Sequence, residues 1–86
     1  MFQGTEIKRL IEAALPGAVV RVHDEDGEHF DAEVMSPSFA GQSLIKQHQA
    51  VYGALGSNMG GAIHALALKT FTPEQWASQT KNGAGK

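Results

Sequence analysis

The residues of this 86-residue chain that could do chemistry are four histidines and nine carboxylic acids; there is no cysteine. A thiol nucleophile is therefore excluded, and the chain has no thiolate of its own to offer a metal. Serines stand only in loops and at helix ends, without the strand–turn–helix glycine pattern of a hydrolase elbow. What remains is imidazole, the commonest metal ligand, at His23, His29, His48 and His64. Six of the nine acids lie between Asp24 and Glu33. A charge run of this kind is expected on a solvated hairpin tip and outer face, where it would repel phosphates.

The element that must position His64 is the stretch Ala62 to Trp76, AIHALALKTFTPEQW, a strand from Ile63 to Phe71 running into a helix. Thr72 is a good N-cap, Pro73 occupies a position where a missing N–H costs nothing, and Gln75 completes a capping box. The strand therefore ends at Phe71, with His64 near its beginning. Upstream, Ala18 to His23 and Glu28 to Met35 alternate as two strands around Asp26-Gly27, a strong hairpin signal. Thr5 to Leu15 reads as a helix whose apolar face is Ile7, Leu10, Ile11, Ala14 and Leu15, ended by Pro16-Gly17. It is expected to cover one face of a sheet.

Ser36-Pro37-Ser38 breaks the second strand, and Phe39-Ala40-Gly41 continues an irregular connection. A second helix is expected from Ser43, its N-cap, to about Leu55. Its buried stripe reads as Leu44, Ile45, His48, Val51, Tyr52 and Leu55, with Lys46, Gln47 and Gln49 facing water. His48, on or beside that stripe, reads as a hydrogen-bonded core residue rather than a ligand. Gly53-Ala54-Leu55-Gly56 matches the GxxG of an RNA-clamping loop, but with no flanking base it reads as a helix end. Gly56 to Gly61 is the loop into the last strand.

Strand two, a helix and strand three form a crossover unit, which places the two strands parallel and often adjacent. The layout is α+β, α-β-β-α-β-α, with a three-stranded mixed sheet covered by helices on one face. If strands two and three are parallel neighbours, His29 and His64 emerge at the same sheet edge. His23, at the end of the antiparallel strand one, arrives there too. Three histidines converging at one rim are a candidate metal site, with the direction of His64 left open by the apolar residues on both faces of its strand.

Hydrophobic residues make up 42% and charged residues 19%, the composition of one globular domain, expected over 1–80 with a flexible tail at 81–86. No apolar run reaches the ~20 residues of a membrane span, and a cytoplasmic protein is the default expectation. The net charge of −2 gives no general pull toward nucleic acid or anionic membrane.

From Phe39 to Trp76, with VYG, IHAL, LKT and TPEQW in this order and spacing, and back through DGEHF at Asp26 to Phe30, the chain resembles the BolA family, in particular its short IbaG-like bacterial branch. The resemblance implies a KH-like fold and a protein that is not an enzyme but a partner of monothiol glutaredoxins. Such partners share a bridging [2Fe–2S] cluster to which glutaredoxin brings a cysteine, bound glutathione a second thiolate, and the BolA side histidine. On that resemblance His64 matches the family's strand-three histidine. His29 in DGEHF matches the second ligand, with His23 in reserve, and the isolated chain is expected to bind no cluster. Imidazole in place of thiolate would raise the reduction potential, and retention should weaken as pH falls through the imidazole range. The alternative the resemblance carries is a KH-like nucleic-acid-binding transcriptional regulator. Against it, Lys46 and Lys69 are the only Lys or Arg between Val22 and Gln79. Cluster transfer, regulation of the glutaredoxin and self-association are left open.

Overall fold

A computed structural model describes residues 3–24, 26–27, 29–59, 61, 63 and 65–84. Helix α1 spans Gly4–Ala14, strands β1 and β2 span Val19–Asp24 and His29–Met35, and helix α2 spans Leu44–Leu55. Strand β3, Ala65–Phe71, leads into helix α3, Pro73–Ala84. Short 3-10 turns occupy Pro37–Phe39 and Gly56–Asn58, giving regular form to part of both expected loops. The sheet order is β1-β2-β3, antiparallel across the hairpin and parallel across the crossover, as the crossover argument requires.

Side-chain parity divides the sheet into two faces. Val20 pairs with Val34, and Phe30, Ala32 and Val34 pair with Leu66, Leu68 and Thr70. This face joins Ile7 and Ile11 of α1 and Val51 and Leu55 of α2 in the core, closed by Phe39 and Ile63. Ala14, placed by periodicity on the apolar face of α1, is exposed. The opposite parity carries Arg21, Glu33 and Phe71. It is met at one end by α3: Trp76 packs edge-on against Phe71 at 5.3 Å, and the Arg21 guanidinium lies 4.7 Å from the indole centroid. Helices α1 and α2 therefore form the covering layer, while Trp76 of α3 reaches the other face. The capping box is present: Thr72 Oγ1 accepts the Gln75 N–H at 3.2 Å, and Gln75 Oε1 accepts the Thr72 N–H at 2.9 Å. Helix α3 continues through Ala84, taking in the first four residues of the expected tail.

Helix α2 is rotated from the expected stripe. Leu44 and Ile45 are 61% and 70% exposed, Tyr52 is exposed, and Gln47, expected in water, is buried. The cause is polar. Gln47 Nε2 donates to the carbonyls of Gln42 (3.0 Å) and Phe39 (3.3 Å), and its Oε1 accepts the Thr70 hydroxyl at 2.6 Å. These bonds satisfy the loop that precedes the helix and tie it to β3. With about 100° per residue, turning Gln47, Val51 and Leu55 inward carries Ile45 about 200° round to solvent. His48 follows it to a half-exposed position, edge-on to Tyr52 at 6.4 Å, and is not a core residue. Strand β3 also begins later than expected: Ile63 is fully buried but forms only an isolated parallel bridge with Met59.

The rotation gives a direct test. Gln47→Ala, which strands Thr70 and the Gln42 carbonyl, should cost about 2 kcal/mol in urea unfolding. Leu55→Ala should cost about 2–5 kcal/mol, and Ile45→Ala no more than about 0.5 kcal/mol. An Ile45 cost equal to that of Leu55 would restore the periodicity-based stripe.

Candidate metal-ligating edge

The hairpin tip is built by its own acids. Asp24 Oδ1 accepts the Gly27 N–H at 2.7 Å, and Asp26 Oδ1 accepts the His29 N–H at 2.9 Å. Both are Asx-type bonds spanning three residues, the local chemistry that lets aspartate replace a backbone acceptor in a turn. Gly27 takes φ +79°, a left-handed conformation that a side chain would strain. Asp26 makes a second bond to the same histidine: its Oδ2 lies 2.8 Å from His29 Nδ1. Asp24 and Asp26 are thus structural as well as charged, a role their composition alone did not reveal; their spacing from Gly27 and His29 was the available signal.

His29 opens β2, and its Cα partner on β3 is Ala65, the residue that follows His64 in the sequence. His64 itself lies outside the described residues. His23 is the penultimate residue of β1, paired with Asp31, which stands two residues along β2 from His29. His23, His29 and Asp31 share the parity of the outer face, and all three are exposed. Two of the three expected histidines therefore meet at one end of the sheet, and the strand leading from the third begins opposite His29. His48, on α2, takes no part.

Among the described residues no group of three His, Asp or Glu is arranged to hold a metal ion. His29 and His23 supply imidazole, and Asp26 supplies the carboxylate that commonly orients a ligating ring. The outer face beside them is a shallow groove of about 400 Å³ over Asp31, Glu33, Ala67 and Lys69. Titration of the exposed ends is perturbed on α1, where the Arg9 hydrogen bond holds the Glu6 carboxyl below its ordinary range and raises Arg9 in return. No helix of the described residues is long and apolar enough to cross a membrane.

A sequence profile described as BolA-like protein matches residues 7–75. The human BolA-like protein 1 is 33% identical over 84 residues, covering 87% of this chain; the chain spans only 61% of that relative's length. The acid stress protein IbaG of Escherichia coli strain K12 is 35% identical over 80 residues, covering 92% of this chain and 94% of IbaG. Among solved structures, a bolA protein homologue from Coxiella burnetii superposes with a TM-score of 0.79 at 44% identity, covering 90% of this chain and 99% of that one.

Gly27→Ala tests the tip. The added methyl group should cost about 1–2 kcal/mol in urea unfolding and should speed hydrogen exchange at the His29 amide. Unchanged protection there would mean that the turn does not hold His29.

Proposed function

The chain belongs to the family of BolA-like proteins, and from that premise we propose that it is a non-enzymatic partner of a monothiol glutaredoxin. It would supply histidine to a [2Fe–2S] cluster bridging the two proteins, in iron–sulfur trafficking or in iron and redox regulation. His64 is the first ligand in this reading and His29 the second, with His23 in reserve. The glutaredoxin cysteine and glutathione would complete the set, since this chain has no thiolate to give. When bound, the cluster supplies a redox centre whose potential depends on ligand charge and exposure.

The observation that carries the reading is the parallel register of β2 and β3. It pairs His29 with the residue next to His64, and it does so at an exposed edge that a partner can reach. The Asp26–His29 hydrogen bond agrees with a ligand role, because ligating imidazoles usually donate their second nitrogen to an oxygen acceptor. The exposed tip acids disfavour a phosphate backbone at this same edge.

The test is visible absorption and circular dichroism while the protein is titrated into [2Fe–2S]-loaded monothiol glutaredoxin with glutathione. The spectrum should change with wild type and fail to change with His64→Ala. His29→Ala should reproduce that loss if it is the second ligand, and His23→Ala if the reserve assignment holds. Calorimetric binding with no spectral change would reduce the protein to an adaptor, and salt-dependent DNA binding that survives His64→Ala would favour the regulator. Because a protonated imidazole cannot ligate, cluster retention in the complex should fall as the pH is lowered from neutral into the mildly acid range. Retention constant from neutral to mildly acid pH would count against histidine ligation.

A further inference from the structure

One carboxylate holds His29 twice. Asp26 Oδ1 takes the backbone N–H at 2.9 Å and Oδ2 meets ring Nδ1 at 2.8 Å. The first bond is enough to make the turn; the second is not needed for it. Nor does the second bond matter much to stability, because the His29 and Asp26 side chains are 70% and 52% exposed. Its consequence is chemical. An ionised carboxylate has no proton to donate, so Nδ1 must be the donor, and in the neutral ring the lone pair then sits on Nε2.

We infer that Asp26 is a positioning residue for His29, fixing the ring's orientation and its Nδ1–H tautomer so that Nε2 carries the lone pair through which the ring would ligate. The tautomer assignment stands on the hairpin geometry alone; its value to a cluster rests on the function proposed above. The supports are local and mutually dependent. Asp24 holds Gly27, Gly27 supplies the left-handed step, and the chain then returns Asp26 to within reach of both the amide and the ring three residues on. Asp31, paired with His23 on the same face, stands two residues along the strand from His29. The tip acids thus divide by role, with Asp26 acting on the ring.

The experiment reads the tautomer directly, by long-range proton–nitrogen correlation on the 15N-labelled full chain at about pH 8, above the ordinary imidazole range. Wild type should show His29 protonated on Nδ1. In Asp26→Asn the amide oxygen can still accept the His29 N–H, while its NH2 can only donate to the ring. The proton should therefore move to Nε2 with the amide spectrum of the fold unchanged. Asp26→Ser, which keeps a turn acceptor but is too short to grip the ring, should give a mixture. A wild-type ring already protonated on Nε2, or an Asn variant whose tautomer does not move, would overturn the inference.

The loaded glutaredoxin complex separates this result from the ligand reading. Asp26→Asn should weaken cluster retention about tenfold or more, and His29→Ala at least as much. If the tautomer switches as expected but His29→Ala leaves the cluster spectrum unchanged, positioning by Asp26 is upheld and the assignment of His29 as a ligand falls.

Discussion

The parallel pairing of β2 with β3 is the constraint on which the molecule depends. It aligns Phe30, Ala32 and Val34 with Leu66, Leu68 and Thr70, and so sets the inner face that α1 and α2 cover. A slip of one residue would turn each of these to the outer face. The same register carries His29 to the level of Ala65. Core and candidate site are therefore consequences of one alignment, and a change that disturbs the first will move the second. Gln47 reinforces it from outside the sheet by bonding Thr70 of β3 while holding the loop that leaves β2.

The parts of this arrangement that were legible in the sequence are those set by local chemistry or by a period of two. Phe30, Ala32 and Val34 are buried as alternation requires, Ser43 caps α2, and Thr72 and Gln75 close a capping box. The face of α2 was not legible because a tertiary hydrogen-bond network decides it. Leu44 and Ile45 are more apolar than Gln47, yet no apolar side chain could satisfy Gln42, Phe39 and Thr70 together. The split of the helices between the two sheet faces was hidden for a similar reason, since Trp76 finds Arg21 across the sheet rather than along the chain. The meeting of His23 and His29 at one end was readable from topology; the direction of His64 was not, and it lies outside the described residues.

The acid run has two physical roles that composition cannot separate. As charge, it gives one end of the molecule a negative potential in a chain of net charge −2. As hydrogen-bond acceptors, Asp24 and Asp26 shape the turn and hold the ring of His29. Reading such a run only as solvation misses the second role. It is the second that bears on chemistry, because a carboxylate that grips an imidazole determines which of its two nitrogens faces outward.

Charge also separates the two functional readings in space. Between Val34 and Pro73 the sequence contains no acid, and Lys46 and Lys69 are its only Lys or Arg. Lys46 adjoins Gln47, which bonds Thr70 near the far end of β3 from Ala65. A phosphate-seeking surface built on these two lysines would lie toward α2 and that end of the sheet, away from the acidic tip beside His29. A ligand-donating surface must lie at the histidine end. The two activities would use different ends of the same small sheet, so loss of one by substitution at His29 or Asp26 need not entail loss of the other. A KH-like fold therefore carries little weight by itself in choosing between them, and the placement of imidazole and carboxylate carries more.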